Sequence, residues 1–127
     1  MAFNLKKIAM EAETAFIHLT DPSGEKLMDG DKKVGVNVYS PASPQHRNAA
    51  RRWAKFAGKP ESDEKDSAKI DYLCAITAGW ENIDFDGLSG ADLSRKIYSD
   101  ATLQSIHQQV ESECIKFGNF LPKNTNS

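Results

Sequence analysis

The sequence is sparing in the residues that catalysis, metal binding and membrane insertion draw on. Its 127 residues include two cysteines, Cys74 and Cys114, and three histidines, His18, His46 and His107. Both cysteines fall on helical patterns near apolar positions, where free cysteine packs as a small hydrophobe. No histidine lies at ligand spacing from either one, so no zinc site is expected. No apolar run approaches the roughly 20 residues that span a bilayer. Lys6 and Lys7 are not followed by the apolar core of a secretory signal, so the chain reads as cytosolic. An excess of positive charge is also missing. Sixteen basic residues stand against eighteen acidic ones, a net charge of -2, which argues against a general nucleic-acid binder.

Chemical motifs are equally scarce. There is no phosphate-binding GxxxxGK[ST] loop, and Gly87 to Gly90 lacks the flanking strand of a dinucleotide fingerprint. None of the histidines adjoins a nucleophile in sequence. His18 reads as structural on a strand face, His46 as solvated in the first turn of a helix, and His107 as a boundary position between core and solvent. The acidic pairs Asp84/Asp86 and Glu111/Glu113 sit in a polar turn and on a helix surface, without the pocket that would shift their pKa values. The expectation is a protein that is not an enzyme and holds neither cofactor nor metal.

What is present is the patterning of one α+β domain over residues 1–127. A chain of this length can bury roughly two-thirds of its unfolded surface. Residues 1–13 carry Phe3, Leu5, Ile8 and Met10 and read as a short helix or docking arm. Thr14 to Thr20 and Lys33 to Tyr39 alternate with period two, the second placing Val34, Val36 and Val38 on one face. With the turn signals Asp21-Pro22-Ser23-Gly24 and Asp29-Gly30, they predict an antiparallel β element over residues 14–40. A mostly helical body of about four helices is predicted over 43–120, and a flexible tail over 121–127. The first helix starts at Ser43-Pro44 and stops at Gly58. The polar window Pro60 to Asp66 reads as an exposed, mobile loop whose acids lie near the basic helix before it. The next helix is capped by Asp66 or Ser67 and ends near Gly79, in Thr77-Ala78-Gly79-Trp80. A third opens at Leu88-Ser89, where Ser89 and Asp92 form a capping-box pattern, and the last is capped by Ser99 or Asp100. Trp53, Phe56, Leu73, Leu93, Ile106, Val110 and Phe117 are the expected core.

Two features point toward partners. Arg47, Arg51 and Lys55 recur every four residues on the first helix, joined by Arg52 and Lys59. They could contact phosphates while Trp53 stacks a base. The acidic window that follows opposes a phosphate chain, so a solvated face is preferred, and an acidic protein partner stays open. Trp80 is either a core residue closing a helix end or an interface anchor.

The order of several segments resembles the tail assembly chaperones of long-tailed bacteriophages. Those segments are Leu19-Thr20-Asp21-Pro22-Ser23-Gly24, the strand Val34 to Tyr39, the serine-capped helix Ser43 to Ala57, the Thr77-Ala78-Gly79-Trp80 motif and the closing Asn119-Phe120. Together they cover about residues 15 to 120. The connector departs from the pattern: Gly87-Leu88-Ser89 stands where the family often has phenylalanine and proline. The resemblance implies a chaperone that binds the tape measure protein and keeps that long apolar filament soluble until the tail tube polymerises around it. Helix-in-groove recognition and avidity along the filament would suit that task. It further implies self-association along the filament, action in the host cytoplasm, absence from the mature virion, and a frameshift-extended form that recruits the tail tube protein. Pro122-Lys123-Asn124 is compatible with a slippery CCA AAA AAC. Arg47, Arg51, Lys55, Trp80 and His107 are the candidate partner contacts, and neither membrane nor nucleic acid is expected. The rival readings are a structural tail component (a completion or tube-end protein) and a small DNA-binding regulator using the basic helix.

Overall fold

A computed structural model describes residues 2–122, and the expected tail beyond Pro122 lies outside the described residues. The fold is α+β, with four α-helices and a three-stranded antiparallel sheet. The strands β1 (Thr14–His18), β2 (Met28–Asp29), β3 (Lys32–Lys33) and β4 (Gly35–Tyr39) come first. Helices α1 (Pro44–Ala57) and α2 (Asp63–Ile76) follow, then β5 (Thr77–Glu81), α3 (Gly90–Ser99) and α4 (Gln104–Glu113). Short 3-10 turns occupy Leu5–Ile8, Ala101–Leu103 and Phe117–Phe120.

Strand β4 is central, between β1 and β5, while β2 and β3 form a separate two-stranded ribbon. The alternation in β4 has the expected consequence: Val36 and Val38 are fully buried, and Ile17 and Leu19 meet the same core. Gly35 faces Ile17 and Phe16 so closely that a Cβ atom there would strike the Ile17 carbonyl and the Phe16 ring. Phe16 thus covers the glycine of the neighbouring strand, a known means of restoring packing where a side chain is missing.

The third strand corrects the sequence reading. Thr77-Ala78-Gly79-Trp80 does not end a helix. Helix α2 stops at Ile76, and the motif pairs with β4, Val36 opposite Trp80 and Asn37 opposite Gly79. The register shifts between Asn37 and Val38, leaving Ala78 as the extra residue of a bulge. A β-branched threonine, a glycine and a tryptophan are weak helix formers, and β4 offers unpaired backbone groups that they satisfy. The sheet therefore draws a strand from the stretch expected to be helical.

Helix α1 has the expected start. The Ser43 hydroxyl accepts from the His46 amide at 3.1 Å, and Pro44 occupies the first turn. Helix α2 begins earlier than expected, because Ser62 rather than Asp66 or Ser67 caps it, accepting from the Lys65 amide at 3.1 Å. Asp63, Glu64 and Asp66 then fall in the first turn, where negative charge favours the helix dipole, so half of the expected loop is helix. At α3 the capping box does not form: Ser89 makes no side-chain cap bond, and Gly90 has a left-handed φ of 58°. Asp100 does act as a cap, but for the 3-10 turn before α4, accepting from the Thr102 amide at 2.9 Å.

Leu73, Leu93 and Val110 are buried as expected, and Ile106 and Trp53 pack against the core from partly buried positions. Phe56 is half-buried outside that cluster, with the Lys59 ammonium 5.4 Å from its ring centroid. Phe117 is a correction, being 60% exposed while Phe120 is fully buried. Helix α4 ends at Glu113, so the helical spacing that put Phe117 on the stripe no longer applies. The 3-10 turn carries Phe120 inward, and its carbonyl accepts from the Ala12 amide at 3.2 Å. Gln109 ties α4 to the end of β1: its amide accepts from the Thr20 N–H at 2.7 Å and donates to the Thr20 carbonyl at 2.8 Å.

Candidate functional site

The connector between β5 and α3 shapes an apolar groove. Asn82 and Asp86 adopt φ of 60° and 55°, and Gly87 has φ of 70°. Asparagine, aspartate and glycine are the residues that tolerate this left-handed geometry. The Asn82 side chain donates to the Lys33 carbonyl at 2.9 Å, fastening the connector to the β2–β3 ribbon. These constraints set Ile83 and Phe85 opposite Leu27, Met28 and Val34 of the ribbon. Leu103 and Ile106 form the third side, and the buried Leu19 and Ile97 form the floor. The groove holds about 390 Å³. Its polar lining residues are Asn82 and Asp84, and the Lys96 ammonium lies 6.0 Å from the Phe85 ring centroid. Met28 stands 49% exposed at its mouth.

A larger groove, about 820 Å³, separates α2 from α4. Its apolar parts are Ile70, Leu73 and Ile115, but Lys69 and Glu111 form an ion pair across it at 2.7 Å. His107 lines this groove, and its Nε2 bonds the Ile97 carbonyl at 2.7 Å. A third hollow, about 340 Å³, lies between β5 and the start of α3 beside Trp80. The Trp80 indole donates to Ser94 Oγ at 2.8 Å.

Of the five candidate contacts, the structure brings Trp80 and His107 together through Tyr98. The Tyr98 ring centroid lies 5.5 Å from that of Trp80 and 5.7 Å from that of His107. The Tyr98 hydroxyl shares a 2.7 Å hydrogen bond with Thr77 Oγ1, and burial raises its pKa well above the ordinary tyrosine value. Both candidates are thereby committed to internal bonds. Arg47, Arg51 and Lys55 lie elsewhere, all exposed on α1.

His46 is another correction. It is 6% exposed rather than solvated. Position 46 falls on the same side of α1 as Ala49 and Trp53, three and seven residues on, and that side faces α2. Its ring meets Tyr72 edge-on at 5.9 Å between centroids, with Nε2 3.4 Å from the Tyr72 hydroxyl. The Tyr72 hydroxyl in turn lies 3.9 Å from Cys114 Sγ. Burial lowers the His46 pKa and raises that of Cys114, so both are held neutral. Nδ1 of His46 has no hydrogen-bond partner among the described residues.

Among the described residues no three or more His, Cys, Asp or Glu side chains gather as a metal would require. No helix there is long and apolar enough to cross a membrane. The chain matches no family model, no curated protein and no solved structure. The sequence did carry a signal for the apolar groove that went unused. Ile83 and Phe85 are large apolar residues inside a polar turn, a pattern a merely solvated connector would not need. Met28 gave no such signal, since its position depends on the ribbon folding back over α4.

Proposed function

We propose that this chain is a phage tail assembly chaperone that binds the tape measure protein and keeps it soluble before the tail tube polymerises. The observation that carries this reading is the apolar groove between the β2–β3 ribbon, the β5–α3 connector and α4. Its walls are mostly aliphatic and aromatic side chains, and Asp84 is the one charged residue among them, without the convergent charged groups that orient a small substrate. An amphipathic helix laid into such a groove inserts apolar residues at spacings of three and four. Met28, flexible and polarizable, lets the mouth adapt to successive segments of a long filament. Affinity at each site need only be modest, because many copies on one filament hold by avidity. The order of segments that resembles the chaperone family supports the same reading, which implies action in the host cytoplasm and release before virion maturation.

Co-expression with the phage's tape measure protein tests it. The chain should co-purify with that protein and raise its soluble fraction several-fold. If the tape measure protein stays insoluble and the chain elutes alone, the chaperone reading fails. Recovery of the chain in purified virions would instead favour a structural tail component.

A further inference from the structure

Helix α1 carries a charge pattern that the rest of the fold leaves unanswered. Arg47, Arg51, Arg52 and Lys55 are all exposed, and α1 contains no acidic residue. Arg47, Arg51 and Lys55 recur every four residues, so their Cα atoms advance in steps of roughly 6 Å along one side of the helix. That side lies opposite the one that buries His46 and Ala49. Among the described residues the ion pairs are Lys65–Glu61, Lys69–Glu111, Arg95–Asp71 and Lys116–Glu113, and none involves α1. The only side-chain hydrogen bond from this row among the described residues is Arg51 Nη1 to Asn48 Oδ1 at 3.1 Å. Like charges at this spacing repel, and Arg47 near the start of α1 also opposes the helix dipole. Among the described residues no ion pair joins the row to the acids that follow it: Asp63, Glu64 and Asp66 fall in the first turn of α2, and Glu61 pairs with Lys65.

The charge distribution of the whole chain gives the row a direction. Helix α1 holds four of the sixteen basic residues and none of the eighteen acidic ones, so the remainder carries twelve against eighteen. An acidic partner is therefore repelled by most of the surface and steered to one helix. We propose that the exposed face of α1 is a second docking surface, separate from the apolar groove, for an acidic helical segment of a partner protein. Carboxylates four residues apart on that segment meet Arg47, Arg51 and Lys55 in register, and the guanidinium groups take carboxylates in bidentate fashion. Nucleic acid is the less favoured occupant. The row is one helix wide and runs only about 12 Å from Arg47 to Lys55, a length that two turns of a partner helix match and that covers only two or three phosphates of an extended strand.

The test is an NMR titration of the 15N-labelled chain with a capped 15-residue helical peptide carrying three glutamates four residues apart. A peptide of identical composition with scattered glutamates, and a single-stranded 20-nucleotide oligomer, serve as comparisons. Amide shifts should be confined to α1 and its flanks and should weaken as salt is raised. The Arg47→Gln/Arg51→Gln/Lys55→Gln variant should lose about tenfold in affinity, three exposed charge pairs together giving that order. A Lys6→Gln/Lys7→Gln/Lys26→Gln variant changes net charge equally at other exposed positions and should bind as the unmodified chain does. Equal loss in both variants, shifts away from α1, equal binding of the scattered peptide, or tighter binding of the oligomer would each overturn the proposal. None of these outcomes depends on the tape measure protein, so the groove reading stands or falls separately.

Discussion

Gly35 and His46 each owe their surroundings to packing that exists only in the folded chain. A methyl group at Gly35 would run into the Ile17 carbonyl and the Phe16 ring on the adjacent strand. Backbone on one side cannot yield, so Gly35→Ala should destabilise by about 1–3 kcal/mol, read from the urea midpoint at unchanged slope. A shift within about 0.5 kcal/mol would contradict the close approach. His46 makes stability depend on pH. Burial between α1 and α2, with Tyr72 against its ring and Cys114 beyond, holds its pKa below the ordinary 6.5. The unfolded chain takes up a proton at His46 near pH 6.5, and the folded chain does not. Its contribution is therefore whole above pH 6.5 and is lost as the pH falls below that value, at no more than about 1.4 kcal/mol per pH unit. Comparing chemical denaturation of the chain and of His46→Phe from pH 7.5 to 5 isolates this share. The variant should show the shallower decline, and equal slopes would show that His46 does not titrate in this way. Neither property was visible in the sequence. Position 46 reads as a first-turn polar residue until α2 is laid against it, and the closeness at Gly35 exists only once β1 pairs with β4.

At the level of elements, local chemistry was legible wherever a cap or a period fixed the answer. Ser43-Pro44 and Gly58 bound α1 as the sequence implies, and period-two alternation placed Val36 and Val38 inside. The failures occur where a distant partner decides. Thr77 to Glu81 becomes a strand because β4 is there to receive it, and Phe117 turns outward because α4 ends four residues earlier. The start of α2 at Ser62 was legible but missed, since a serine before three acids is itself a capping signal. Replacing Ser62 by alanine should cost about 0.5–2 kcal/mol, measured by thermal or urea unfolding. Substitution of Ser67, which lies inside the helix, should change stability by less than about 0.5 kcal/mol. The reverse ranking would mean that the helix starts where the polar window ends. The candidate site divides in the same way. The cationic row of α1 was plain from its spacing, whereas the apolar groove needed the left-handed connector at Asn82, Asp86 and Gly87 to bring Ile83 and Phe85 opposite the ribbon.

The whole molecule presents two unlike surfaces, an apolar groove beside the ribbon and a cationic helix face on α1. On these two surfaces rest the proposed chaperone role and the proposed second docking site. Trp80 and His107 both pack on Tyr98 and so link β5, α3 and α4. The central claim is that the groove receives an apolar helix of the tape measure protein. The most direct measurement is the fluorescence anisotropy of a labelled segment of that protein, about 30 residues long, titrated with the chain and with Met28→Glu. Met28 is half exposed, so its replacement should leave the unfolding midpoint nearly unchanged. The account predicts that Met28→Glu weakens binding at least about tenfold, because a carboxylate would have to be desolvated at the mouth. Equal affinity for both chains, or no binding of the segment to either, would contradict it.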